Sequence, residues 1–255
     1  MAGSSLDVEI TGDGRPLVLL HSLLADRGAF DLLVKRLADR RRLIAVNLPG
    51  FGISPPGGPT VKDYARAIQR LLDELDLPPE TDVLGNGFGS FVTLSLASEV
   101  GARIARLVLV GAAIAFPPAG KETFKNLAAK VESEGMAAIV PVALKRLFPE
   151  GYLAAHPKLA AERAAVLEAL KPTHFANACR ALAALDLTPE LPKVENPTLI
   201  VVGQEDGATP PALAHALAEK LPDGRVVEMP GVGHSPHIQA PDRFVSTIAT
   251  FLGLT

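Results

Sequence analysis

The feature that most limits the fold of this chain is a set of short apolar runs that are continuous instead of alternating. They fall at 16–20 (PLVLL), 43–46 (LIAV), 81–84 (TDVL), 105–110 (ARLVLV) and 198–202 (TLIVV), with a sixth at 226–229. A strand with one wet face alternates apolar and polar side chains, so an unbroken run needs cover on both faces. Between the runs lie segments of helical periodicity at 29–40, 60–75, 90–100, 210–220 and 241–252, with Thr60 placed to cap the second. Strand and helix alternate, which predicts an α/β fold: a mostly parallel central sheet flanked by helices.

The alternation stops over 112–187, a stretch rich in Ala, Leu, Lys and Glu that six prolines cut into an expected three or four helices. It reads as a helical cap inserted into a core formed by 1–111 and 188–255. The single cysteine, Cys179, excludes an internal disulfide framework and fits a reducing compartment. A net charge of -3 with both signs scattered leaves no basic face for nucleic acid. No apolar run approaches a membrane span, and the N-terminus lacks the basic and apolar parts of a signal segment. The expectation is a soluble, cytoplasmic protein with a small-molecule partner, no metal and no cofactor; its oligomeric state is open.

The run TDVLGNGFGS, residues 81–90, leads from a strand through glycines into a helix. A phosphate-cradling G-x-G-x-x-G begins in this way, and so does the G-x-S-x-G turn that exposes a catalytic serine. A dinucleotide loop follows the first strand of its unit and is answered by a carboxylate after the next strand. Here the loop follows at least the third strand, and the next ends in Val110-Gly111-Ala112. The serine-turn reading requires an acid after the penultimate strand and a histidine after the last one. GQED supplies Asp206 and PGVGH supplies His234, in the required order.

Together LVLLHSLL, AVNLPGFGISPP, LGNGFGS, PTLIVVGQEDGATPP and PGVGHSPHIQAP resemble the α/β-hydrolase superfamily over nearly the whole chain. The tail, from ACRALAALDL to GVGH, looks most like 3-oxoadipate enol-lactonases and related small ester, lactone and C–C bond hydrolases. The resemblance implies a carboxylic ester or lactone as substrate, with oxyanion donors in the backbone N–H groups of Leu23 and Phe88. Three positions depart from the pattern. Ser22 stands where glycine is usual after His21, Asn47 stands where aspartate is common, and Gly87 stands where the nucleophile belongs.

Gly87 rules out acyl transfer through that position. It relaxes a turn that strains a residue bearing a side chain by roughly 1–3 kcal/mol, and it is expected to leave a serine-sized void. Three kinds of protein fit. The first is an inactivated or strongly impaired hydrolase. The second is an enzyme in which His234 and Asp206 act as a general base on water or a C–H bond, and the third is a non-catalytic binder. Ser22, Phe116, Phe148 and His237 are the expected substrate contacts, although a solvated surface also suits His237. Lys145, Arg146 and Arg180 are the cations that suit a substrate carboxylate.

Overall fold

The structure, a computed structural model, describes residues 5–254, so positions 1–4 and 255 of the expected core lie outside it. Its strands are β1 (Val8–Thr11), β2 (Pro16–Leu20), β3 (Arg42–Val46), β4 (Asp82–Asn86), β5 (Leu107–Val110), β6 (Thr198–Gly203) and β7 (Gly224–Met229). They form one sheet in the order β1-β3-β2-β4-β5-β6-β7. All neighbours pair in parallel except β1, which runs antiparallel to β3.

The continuous runs are explained by two apolar layers. Leu17, Leu19, Leu43, Ala45, Leu199 and Val201 face one side, together with Phe30, Leu33, Phe244 and Ile248. Val18, Leu20, Ile44, Val46, Ile200 and Val202 face the other, together with Tyr64, Ile68, Phe91 and Leu217. Successive side chains of β2 to β6 are therefore buried on opposite faces, whereas the edge strands β1 and β7 keep exposed positions, so the 226–229 run is covered on one face only.

The helices are α1 (Asp31–Leu37), α2 (Val61–Glu74), α3 (Phe88–Val100), α4 (Pro118–Glu134), α5 (Val140–Leu147), α6 (Glu150–Ala155), α7 (Pro157–Glu168), α8 (Pro172–Ala183), α9 (Pro211–Ala218), α10 (Pro236–Gln239) and α11 (Pro241–Leu252). Thr60 caps α2 through a reciprocal pair: its hydroxyl accepts from the Asp63 N–H, and the Asp63 carboxylate accepts from the Thr60 N–H. Helices α4 to α8 fill the segment expected to hold three or four, so the insertion is more finely divided than the sequence suggests. The prolines account for this. Pro118, Pro157 and Pro172 occupy first helical positions and Pro149 an N-cap, where a missing N–H costs nothing, so they open helices. An antiparallel bridge between Ala115 and Asp186, with the Leu187 N–H donating to the Ile114 carbonyl at 3.0 Å, ties the two ends of the insertion together. No helix among the described residues is long and apolar enough to cross a membrane.

Candidate active site

The sheet reverses its build direction between β2 and β4, which is where open α/β sheets form a crevice at their carboxyl ends. The loops after β2, β4, β6 and β7 bring Ser22, Gly87, Asp206 and His234 to this crevice. The turn after β4 needs close packing. A Cβ on Gly85 would strike the backbone of Gly89, and a Cβ on Gly89 would strike the Leu20 carbonyl. Gly87 itself has φ of +52°. Ser90 is not available for chemistry, since its hydroxyl donates to the Gly85 carbonyl at 2.7 Å and accepts from the Val110 N–H at 3.1 Å.

Asp206 is held from every side. Its Oδ1 accepts the N–H groups of Ala208 and Thr209, both at 2.8 Å, and its Oδ2 accepts the Thr209 hydroxyl at 2.9 Å and His234 Nδ1 at 2.8 Å. Burial pushes this carboxyl up. The His234 imidazole and the two backbone donors more than offset that and hold it below the usual carboxylate range. With Nδ1–H donating to a carboxylate, the lone pair of His234 lies on Nε2, and Nε2 faces the crevice. The Asn86 amide holds the His234 carbonyl at 3.0 Å, which fixes the loop that carries the ring. Thr209 was not singled out from sequence. The signal was there in D-G-A-T, an aspartate whose side chain can accept the N–H groups two and three residues on.

The void expected at residue 87 does not exist. A Cβ built there would lie 2.6 Å from His234 Nε2 and 2.8 Å from Ser22 Oγ, so those two groups already occupy the space. The hydroxyl of Ser22, expected from sequence to contact substrate, lies 3.4 Å from His234 Nε2. The loop bearing it is fixed by His21, which is fully buried. His21 Nδ1 donates to the Ser22 carbonyl at 2.8 Å, while its Nε2 accepts from the Leu48 N–H at 3.0 Å. Burial lowers the His21 pKa to about 4, which keeps the ring neutral for this dual role. Because the Ser22–Leu23 peptide is trans, anchoring its carbonyl turns the Leu23 N–H the opposite way. Neither that N–H nor the Phe88 N–H, the first of α3, has an acceptor among the described residues.

The cleft is narrow, with about 40 Å³ of room between the sheet and the insertion. Ser22, Leu23, Phe88 and His234 wall it from the sheet side, and Phe116, Phe124 and Arg146 from the insertion. Phe148 does not reach it; the ring is buried against Tyr152 at 5.6 Å. His237 is neither at the cleft nor at the surface. It is fully buried, stacked on Phe30 at 5.0 Å, with both ring nitrogens unpartnered among the described residues. Of the three candidate cations, Arg180 pairs with Glu132 and Lys145 with Glu150 at exposed positions, and only Arg146 lines the cleft. Asn47 also has a reason. It donates to Asp7 at 2.7 Å and accepts from the Arg27 N–H at 2.8 Å, and an ionised aspartate has no proton for the first bond. Burial pushes the Cys179 thiol well up, so it is inert filler.

Strand order, the turn at residue 87 and the Asp206–His234 pair define the class of the molecule. The chain belongs to the alpha/beta hydrolase family, whose profile matches residues 17–247. Among its relatives, the pimeloyl-acyl-carrier-protein methyl ester esterase of Nitrosomonas europaea is 30% identical over 95% of this chain and 98% of its own. The enol-lactonase of Burkholderia xenovorans LB400 is 29% identical and superposes with a TM-score of 0.91, covering 97% of this chain and 96% of that one. A thermophilic esterase of Thermogutta terrifontis with malate bound is 30% identical, with a TM-score of 0.89 over 97% of this chain and 93% of its own.

Proposed function

We propose that this chain hydrolyses a small carboxylic ester or lactone, with His234 as general base and Asp206 as the group that orients and charges it. The observation that carries the reading is His234, its Nε2 left without a carboxylate partner, on a cleft lined by Leu23 and Phe88, whose N–H groups have no acceptor among the described residues. A base and two oxyanion donors around one small volume suit a carbonyl that becomes tetrahedral and negative. Relatives named as a methyl ester esterase and an enol-lactonase support the same bond type. The helical insertion acts as a cap, supplying the apolar wall of Phe116 and Phe124. Arg146 supplies the cleft with a cation that has no ion-pair partner among the described residues, which favours an acyl group ending in a carboxylate.

In the mechanism, His234 Nε2 takes a proton from the attacking oxygen. Asp206 steadies the imidazolium that forms, and the two N–H groups hold the oxyanion until the C–O bond breaks and Nε2 returns the proton to the leaving oxygen. The test is turnover of p-nitrophenyl butyrate and a panel of small lactones by the unaltered chain and by His234→Ala. Turnover that the substitution removes is expected; no turnover by the unaltered chain, or turnover indifferent to His234, overturns the reading.

A further inference from the structure

Residue 87 cannot attack a carbonyl, but a hydroxyl already stands in its place. Across the parallel pair β2 and β4, Leu20 lies opposite Gly85, so residues 22 and 87 leave the sheet at the same level on adjacent strands. The Ser22 hydroxyl falls 2.8 Å from where a Cβ of residue 87 would be, and it points at the only ring nitrogen of His234 that Asp206 leaves free. Ser22 is buried, its carbonyl is pinned by His21 Nδ1 and the Ala25 N–H, and the side chain lines the cleft. Leu23 follows Ser22 as Phe88 follows Gly87, so an N–H adjoining the attacking residue remains.

We propose that Ser22 is the nucleophile of this enzyme. The glycine at 87 and the serine at 22 are then a single change, in which the hydroxyl has moved from one strand end to its neighbour while base and acid stayed in place. The inference rests on the hydrolytic reading above and names its attacking atom. Ser22 Oγ adds to the ester carbonyl carbon as its proton passes to His234 Nε2. The C–O bond to the alcohol breaks as Nε2 protonates the departing oxygen, leaving an acyl ester on Ser22. Water, deprotonated by Nε2, then attacks this ester; the carboxylic acid leaves and Ser22 regains its proton. The 3.4 Å separation of Oγ and Nε2 is long for a proton transfer, as catalytic hydrogen bonds are before substrate closes the site.

Diisopropyl fluorophosphate with peptide mapping tests this directly, because the attacking oxygen displaces fluoride and keeps the phosphoryl group. One adduct at Ser22 is expected in the unaltered chain. Ser22→Ala should lose the adduct and roughly 10³-fold or more of kcat/KM on p-nitrophenyl butyrate, at unchanged Tm. In the double variant Ser22→Gly, Gly87→Ser the adduct should move to position 87. Ester turnover without an adduct on Ser22, and undiminished in Ser22→Ala, overturns the proposal in favour of direct water attack and leaves the hydrolytic reading standing. Turnover by the double variant but not by the unaltered chain overturns both. If Ser22→Ala does not fold, the adduct map of the unaltered chain decides.

Discussion

Two buried carboxylates sit at opposite ends of the sheet, and the protein treats them differently. Asp82 opens β4 and is held by Arg15 at 2.8 Å and Arg41 at 2.7 Å. Arg41 spends its other donors on the carbonyls of Arg15, Pro16 and Leu252, so this cluster closes on itself. Burial still leaves the Asp82 carboxyl above its usual range, despite both guanidiniums. Asp206, past the end of β6, is held below that range by His234 and two short N–H bonds. Burial pushes both carboxyls up; at Asp206 the His234 imidazole, backed by two N–H groups, outweighs it, whereas at Asp82 the guanidiniums do not. The Asp206 network also has an open end. Its last member, His234, lines the cleft with the Ser22 hydroxyl 3.4 Å from its Nε2, whereas the Arg41–Asp82 cluster ends on backbone carbonyls.

The comparison is broken most severely at the open end. Asp206→Asn should lower kcat on p-nitrophenyl butyrate by about 10³–10⁴-fold, because the amide cannot hold the Nδ1–H tautomer, while the melting temperature changes little. At the closed end the order reverses. Arg41→Met leaves Asp82 short of a partner in an apolar layer and should cost about 3–5 kcal/mol in urea unfolding, with kcat of the remaining folded enzyme unchanged.

A smaller effect comes from the buried imidazoles. Burial lowers His21 to about 4 and His237 to about 3, against 6.5 for the free side chain. The folded state therefore refuses protons that the unfolded chain accepts below pH 6.5. Stability is full above that pH and falls as pH drops towards the folded values, by roughly 1.4 kcal/mol per pH unit for each ring. His237→Phe, which keeps the stack with Phe30, should flatten this acid-side slope in melts between pH 7 and 4.5. The smallest effect is on binding. Arg146→Met should raise KM about 10-fold for a methyl ester of a dicarboxylic acid and leave KM for a neutral ester of the same length unchanged.

Most of the sheet was legible because double-sided burial forces unbroken apolar runs. β1 was missed because VEIT lies at the sheet edge, where its side chains are partly or fully exposed and the run never becomes uniformly apolar. Asp206 and His234 were legible because each follows a strand on a loop of recognisable spacing. The contact of Ser22 with His234 was not legible because the two are 212 positions apart and only the pairing of β2 with β4 brings Ser22 to the level of residue 87. His237 was misread for a different reason. A histidine in a turn reads as polar, and nothing local announces that Phe30 and Phe244 will enclose it.

The bridge between Ala115 and Asp186 makes the insertion a module on a two-stranded root. Since Ile114 and Leu187 are already hydrogen-bonded neighbours, the length and helix count of what lies between them place no demand on the register of β5 or β6. Phe116, Phe124 and Arg146, the cleft residues proposed to meet the substrate, all lie within that module. Ser22, His234 and Asp206 all lie outside it. The separation is incomplete: the His234 N–H donates to the Leu147 carbonyl of the insertion at 3.2 Å, so a foreign insertion grafted at the same root has to rebuild that contact to keep the imidazole in place.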